Sequence, residues 1–284
     1  FVDTDFAVTD SSRAIVFNKD MLEMLAIFPQ ADGRIVTVGH DGSFNGSVAR
    51  YNNNGTIDSS FGNNGTVSIL RTRPSGAVQQ PNGDIIIAGM AYNYGYGDRF
   101  STIRVTSEGK LDSSFGNNGV AGVDFIEDEI IEDLVLQPDG KIFVAGAMLT
   151  SDNQQVPAMS RFKADATMDS SFMLSGATKQ AYFQHPAHLY AIKRQPDAKI
   201  LIAGSASDTS GVGFVVWRSL PKGLESNFGI GGKCIIYLPT DTATAHDIAV
   251  QPDGKVIVAG SIKQGDTSYS SVLMRLTSQG AMDN

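Results

Sequence analysis

The stretch Gln137-Pro138-Asp139-Gly140-Lys141-Ile142-Phe143-Val144-Ala145-Gly146 decides the fold of this chain. Pro, Asp and Gly in succession are the residues of a tight turn. The run of apolar, partly β-branched residues that follows is typical of a short strand, and it stops at a glycine. The stretch therefore predicts the end of one strand, a turn and a second strand.

The same stretch occurs five times, with further copies that begin at Gln30, Gln80, Gln195 and Gln251. A second landmark follows each copy: a strand that ends in Arg, a turn, an acidic residue and, in four copies, Phe. The successive arginines are separated by 54, 57, 57 and 57 residues. Units of this length that contain only short strands indicate a repeat fold.

Each repeat holds four short β runs, which is the pattern of a propeller blade. In the third repeat these are Leu134–Leu136, Ile142–Ala145, Ala158–Phe162 and a run after Phe172. Only Met21–Ala26 has helical character, and it occupies a strand position of the other repeats. We therefore predict an all-β chain: a five-bladed β-propeller of four-stranded antiparallel blades, forming one domain over residues 1–284. The predicted blades are approximately residues 22–70, 76–126, 133–183, 189–238 and 246–284.

The fifth blade lacks an outer strand, because the sequence stops at Asn284. At the other end, an N-terminal arm of residues 1–12 precedes a spare β run, Arg13–Asn18. We expect Arg13–Asn18 to complete blade five, since ring closure removes the open strand edges that favour aggregation. In the alternative phase, Arg13–Asn18 is the first strand of blade one and the ring closes by packing alone.

The repeat resembles a known family, the bacterial delta-60 repeat, over about residues 22–284. The resemblance rests on Gln-Pro-Asp-Gly-Lys, an apolar strand ending in Ala-Gly, Arg followed by an aromatic residue, Leu-Asp-Ser-Ser-Phe-Gly, and Asn-Gly. The layout is also similar to kelch blades. The sequence departs from the pattern at Ala198, which replaces the turn glycine, and at Met173-Leu174. The resemblance implies a β-propeller of a kind common in bacterial surface and exported proteins, and it implies no activity.

The composition excludes several classes of partner. The net charge is −8 and the pI is about 4.9, which argues against binding to nucleic acid or to anionic membranes. No apolar run is long enough to span a bilayer, so membrane insertion is not expected. The single cysteine, Cys234, allows no intramolecular disulfide. We expect a monomer, bacterial, outside the cell or at its surface.

The repeated arginine and acidic residue are expected to pair across the turn and to pin each blade, rather than to form an anion site. The predicted pairs are Arg50 with Asp58, Arg104 with Asp112, Arg161 with Asp169, Arg218 with Glu225 and Arg275 with Asp283. The recurrent aromatic residues are interpreted as wedges between blades, because aromatic side chains dominate protein cores. These are Phe61, Phe115, Phe172 and Phe228.

Candidate ligand-binding residues lie in the segments that vary between repeats. Strand alternation places the repeated turns on one face of the disc and the variable loops on the other. On the variable face, Tyr92, Tyr94 and Tyr96 stand in a glycine-rich loop with the composition of an antibody paratope, although a solvated loop would also explain them. If they form the binding surface, replacing all three should abolish binding without unfolding the chain.

The link into blade four carries His185, His188 and Tyr190 as further candidate ligand-binding residues. Zinc is not favoured there, because it usually takes three or four protein ligands and only two histidines stand together. The acidic link that contains Glu132 and Asp133 is interpreted as a solvated surface, with a site for calcium or a basic partner as the alternative.

No catalytic motif is present. The sequence lacks a Gly-x-Ser-x-Gly elbow, a phosphate loop and a dinucleotide fingerprint, and it implies no cofactor. We therefore predict a non-enzymatic scaffold that binds a protein or glycan through one face. The alternatives are a lectin-like propeller and a hydrolase or lyase with its site at the channel mouth.

Overall fold

The described part of the chain consists of strands, turns and loops, with no helix. The computed structural model describes residues 21–42, 44–93, 97–123, 129–149, 154–172, 177–178, 187–220, 223–240, 242–265 and 268–283. These residues form twenty strands, so the all-β prediction is confirmed. Met21–Ala26 is strand and not helix, since most of it belongs to the first strand. Within these ranges no helix is long and apolar enough to cross a membrane.

The strands form five antiparallel sheets. Sheet one holds β1 (Glu23–Pro29), β2 (Ile35–His40), β3 (Gly46–Tyr51) and β4 (Thr66–Ile69). Sheet two holds β5 (Thr72–Gln79), β6 (Ile85–Asn93), β7 (Gly97–Val105) and β8 (Val120–Val123). Sheet three holds β9 (Glu129–Leu136), β10 (Ile142–Leu149), β11 (Gln155–Phe162) and β12 (Ala177–Thr178). Sheet four holds β13 (Ala187–Arg194), β14 (Ile200–Asp208), β15 (Gly211–Leu220), β16 (Gly223–Leu224) and β17 (Lys233–Leu238). Sheet five holds β18 (Thr242–Val250), β19 (Val256–Gln264) and β20 (Ser268–Leu276).

Consecutive strands pair within sheets one, two, three and five in the order predicted from the repeat, whereas in sheet four both β16 and β17 pair with β15. In sheet one the order is β1-β2-β3-β4, with the Gln-ended strand first and β4 paired with β3. This is the pairing of the first of the two phases. In the described residues, sheet five has three strands. Arg13–Asn18, which is predicted to complete it, and the arm of residues 1–12 lie outside the described residues.

The chain divides into two compact units, residues 1–122 and residues 123–284. In the first unit, sheets one and two share an apolar cluster that includes Val36, Val38, Ile85, Ile87 and Phe61. In the second unit, one cluster joins sheets three and four, and another joins sheets four and five. Because each of these sheets offers apolar residues to a neighbour in its own unit, burial of these faces is the main source of stability.

Each first strand carries a β-bulge at the same place, five residues before the repeated glutamine or its equivalent. The bulged residues are Leu25, Ser75, Glu132, Tyr190 and His246. Opposite each bulge lies the glycine that ends the apolar run. A Cβ added to Gly146 would stand 1.9 Å from the backbone oxygen of Ile130, and at the other four glycines the nearest backbone oxygen would be 2.0–2.3 Å away. The glycine is therefore required by the close approach of the bulged strand.

Candidate ligand-binding site

The repeated arginine, acidic residue and phenylalanine form a compact cluster at each turn. Arg50 Nε donates to Asp58 Oδ2 at 2.7 Å, and Arg161 Nε donates to Asp169 Oδ2 at 2.8 Å. Ion pairs also join Arg104 with Asp112, Arg218 with Glu225 and Arg275 with Asp283. In the four repeats that contain the phenylalanine, the guanidinium lies 4.5–4.9 Å from the centre of its ring.

Arg50 and Arg218 also contact the neighbouring repeat. Arg50 Nη1 donates to the backbone oxygen of Ser107 at 2.7 Å, and Arg218 Nη1 donates to that of Ser278 at 2.5 Å. The serine after each aspartate contributes as well, since the Ser60 hydroxyl donates to Asp58 Oδ1 at 2.6 Å. That bond, with the charges of Arg34 and Arg50, holds the pKa of Asp58 well below its usual range. The arginines are thus engaged by protein acceptors, an arrangement suited to a structural role.

Of the three candidate tyrosines, Tyr92 is within the described residues. The backbone of Tyr92 belongs to β6, next to the loop. Tyr94 and Tyr96 lie outside the described residues, as does His185. The prediction that these residues bind a ligand stays a prediction.

His188 and Tyr190, by contrast, are brought together with residues of neighbouring strands. His188 is buried, and its ring lies parallel to that of Tyr190, with ring centres 4.2 Å apart. Its Nε2 is 2.7 Å from Glu132 Oε1 of sheet three, and its Nδ1 is 3.1 Å from Gln155 Oε1. The bulges present Glu132 and Tyr190, because each is the extra residue of its strand.

His188, Tyr190 and Gln155 line a cavity of about 470 Å³ in the second unit, hereafter the His188 cavity. Burial raises the pKa of the Tyr190 hydroxyl, and its hydrogen bonds with Ser205 and Thr244 oppose that shift. The lining residues come from the first, second and third strands, always from the end next to the variable loops. They are Gln155, Ala187, His188, Tyr190, Ser205, Ala206, Ser207, Val212, Thr242, Ala243, Thr244 and Tyr269.

Sequence reasoning missed the serine, threonine and glutamine residues of this cavity and Tyr269. Such residues are common in solvated loops, so residue type alone does not single them out. One signal was present: Glu132, Tyr190 and His246 each stand five residues before the repeated glutamine. A polar residue at that register, in strands that are otherwise apolar, marks the bulge that turns the side chain out of the blade.

Among the described acids near the cavity, Asp133 has a raised pKa. Its Oδ1 accepts the amide of Leu134 at 2.7 Å, and its Oδ2 accepts the amide of Ile192 in sheet four at 2.8 Å. Burial raises its pKa to about 6, although these two hydrogen bonds lower it. Since both oxygens accept backbone amides, Asp133 joins sheet three to sheet four instead of facing a ligand.

A metal site finds no support in the described part of the chain. No group of three or more His, Cys, Asp and Glu side chains with suitable spacing occurs there. His188, the one described histidine of the predicted pair, contacts a carboxylate, an amide and a ring.

Comparison with protein families identifies the class of protein. The model of a β-propeller family described as a domain of unknown function (DUF5122) matches residues 30–61, 80–115, 137–172 and 251–284. These segments are four of the five repeats, each running from the glutamine-turn stretch to or past the acidic residue, and three of them end at the repeated Phe. The chain is therefore a repeat protein of β-propeller type. The fourth repeat, where Ala198 replaces the turn glycine, lies outside the matched segments.

Solved structures of low sequence identity share the fold. A protein of unknown function from Dyadobacter fermentans is 15% identical, with a TM-score of 0.52 over 87% of this chain and 74% of its own. An ulvan lyase, a polysaccharide lyase solved with a bound saccharide, is 9% identical, with a TM-score of 0.53 over 90% of this chain and 68% of its own. Another polysaccharide lyase is 11% identical, with a TM-score of 0.51 over 94% and 71%. At these identities the likeness concerns the fold alone. None of the curated proteins compared with the chain matches it.

Proposed function

We propose that the protein is a non-enzymatic binding scaffold, a five-bladed propeller that presents the variable loops of one face to a ligand. The observation that carries this proposal is the His188 cavity. Its lining side chains come from several strands, always at the end that leads into a variable loop. The opposite ends carry turns that are nearly the same in every repeat, and variable loops on a rigid framework suit recognition.

We also propose that Arg13–Asn18 closes the ring as the fourth strand of sheet five. In the first unit, Val120 of the outer strand β8 and Val67 of β4 pack against one apolar cluster. In the second unit, Cys234 and Ile236 of β17 pack against the apolar cluster of sheets four and five and also line a cavity of about 780 Å³. In the other repeats an outer strand lies beside the third strand. A strand in that position beside β20 would fill this space, and Arg13–Asn18 has the required run of apolar residues.

Hydrogen exchange tests the closure. Removing residues 1–20 should speed the exchange of amides on the outer edge of β20, because that edge would lose its partner strand. The amides of β10, in the middle of sheet three, serve as the internal control. Unchanged exchange in β20 would overturn the assignment of Arg13–Asn18.

Binding selections test the function. The whole chain is screened against a glycan array and, separately, a random peptide library, and every binder is measured again with Tyr269→Ala and His188→Ala. Lys110→Ala, on the face of the repeated turns, is the matched control. We expect at least tenfold weaker binding to both cavity variants and no change with Lys110→Ala. Binders that survive both cavity changes but are lost with the control would overturn the proposal.

A hydrolase or lyase at the channel mouth is the alternative, favoured by the raised pKa of Asp133 close to Glu132. The two backbone amides held by Asp133 favour a structural role for that residue. Incubation with ulvan, the substrate named for one neighbour, followed by assay for new chain ends separates the two. The proposal of a non-enzymatic scaffold predicts no cleavage.

We also propose that the chain belongs to the delta-60 repeat family and has a kelch-like blade layout. We further propose that it is a monomeric bacterial protein located outside the cell or at its surface. We propose that its partner is a protein or a glycan, and that it binds no nucleic acid, uses no cofactor and does not insert into a membrane. The net charge of −8 supports the exclusion of nucleic acid.

A further inference from the structure

We propose that the His188 cavity binds a neutral, hydroxyl-rich ligand of the saccharide class, with the ring of Tyr269 as its stacking surface. This inference rests on the proposed binding function and names the ligand chemistry of the same site. It depends on three observations: the chemistry of the lining residues, the exposure of Tyr269, and the ordered position of His188 and Tyr190.

The lining of the cavity is rich in hydroxyl groups. Tyr190, Ser205, Ser207, Thr242, Thr244 and Tyr269 each contribute one, and Gln155 contributes an amide. A hydroxyl both donates and accepts hydrogen bonds, which suits a ligand whose own hydroxyls do the same. Such a wall discriminates by hydrogen-bond geometry and not by charge.

Charge balance favours a neutral ligand. Among the described residues that line the cavity there is no lysine, arginine or carboxylate, and His188 is the basic side chain. Lys263 lies outside that lining, and its Nζ is 5.9 Å from the centre of the Tyr269 ring. That ring already faces the carboxylate of Glu132 at 2.7 Å, so any positive charge on it is compensated within the protein. An ionised ligand would lose hydration without gaining a free counter-charge from the described lining residues, which is costly.

Tyr269 supplies the aromatic surface. It is the second residue of β20 and is 70% exposed, although it lines the cavity. The C–H face of a sugar ring is apolar, so it gains by packing on such a ring while its hydroxyls turn to the polar walls. The cavity volume of about 470 Å³ lies in the range typical of small-ligand sites.

The opposite side of the cavity is fixed before any ligand binds. Stacking on Tyr190 and contacts at both ring nitrogens hold His188, and hydrogen bonds with Ser205 and Thr244 hold Tyr190. Residues that are already ordered lose little entropy on binding, which favours affinity for a small ligand.

The test uses the whole chain and a defined set of probes: neutral monosaccharides and disaccharides, their uronic acid counterparts, and the peptides selected above. Affinities are measured by calorimetry for wild type, Tyr269→Ala, Tyr269→Phe and Tyr237→Ala. Tyr237 is a partly exposed tyrosine outside the cavity and serves as the control. Because Tyr269 is exposed, its replacement leaves the core intact.

We expect at least one neutral saccharide to bind at least tenfold more tightly than its uronic acid. Tyr269→Ala should weaken that binding at least tenfold, whereas Tyr269→Phe and Tyr237→Ala should change it less than threefold. If only peptides bind, and Tyr269→Ala weakens them, the saccharide inference is wrong and the scaffold function stands. If no probe is sensitive to any cavity variant, both proposals fail.

Discussion

At the scale of the residue, the turn arginine has several partners. Arg161 is the clearest case, with Asp169 on one side and the Phe172 ring 4.9 Å from its guanidinium. Its side chain is 2% exposed, whereas that of Arg275, in the repeat without the phenylalanine, is 48% exposed. The same pair is thus present in a buried and an exposed setting within one chain.

We predict that Arg161→Ala lowers the free energy of unfolding by about 3–5 kcal/mol, because it leaves the buried Asp169 carboxylate without its partner. The matched change Arg275→Ala should cost less than about 1 kcal/mol, since water screens an exposed pair. Urea unfolding of both variants checks this. If both variants lose the same unfolding free energy, burial does not determine how much the pair stabilises the fold.

At the scale of the element, the bulge and the glycine opposite it shape every blade. The bulge adds a residue to the first strand and brings its backbone onto the glycine, and in sheets three and four it also presents the site residues Glu132 and Tyr190. Exchanging the glycine therefore disturbs strand pairing and the cavity together.

We predict that Gly146→Ala lowers the free energy of unfolding by more than about 3 kcal/mol, since the new methyl group would meet the Ile130 oxygen at 1.9 Å. The control is Gly231→Ala, where nothing lies within 4 Å and only a φ of +63° opposes the change. That control should cost about 1 kcal/mol. Thermal unfolding of the two variants measures the difference, and similar losses would contradict the close-approach explanation.

At the scale of the whole molecule, the acids respond to pH in two opposite ways. The turn acids Asp58, Asp112, Asp169, Glu225 and Asp283 have lowered pKa values. Their contribution to stability is complete above the unfolded value of about 4 and is lost as the pH falls through the folded values. Asp133, with a pKa of about 6, favours the folded state when protonated, so its contribution is lost as the pH rises through 6.

We therefore predict that the protein is at least as stable at about pH 5 as at pH 7, and that it loses stability steeply below about pH 4. Urea unfolding at several pH values measures this profile. In Asp133→Asn, stability relative to wild type should rise between about pH 4 and pH 7, by the order of 2 kcal/mol. If the difference in unfolding free energy between the variant and wild type does not change with pH, Asp133 does not contribute to the pH dependence.

The repeat, the all-β class and most of the strand order within the sheets could be predicted from residue patterns alone. Those features depend on local sequence patterns that occur in all five repeats: turn residues, apolar runs and the glycine that ends each run. The repeat also paired each arginine with its acid, since a fixed turn brings back residues seven or eight positions apart. Of the candidate site, His188 and Tyr190 could be proposed from their place in a variable link.

The side chains that meet around His188 could not be predicted in this way. Its partners Glu132 and Gln155 belong to another repeat, 56 and 33 residues away, and the pairing depends on how sheet three packs against sheet four. The bulges that present Glu132 and Tyr190 were marked in the sequence only by a polar residue at one register, because a bulge is a mismatch between two strands and neither strand alone specifies it. Local residue patterns fix strands and turns, whereas the site arises from packing between sheets, which no single stretch encodes.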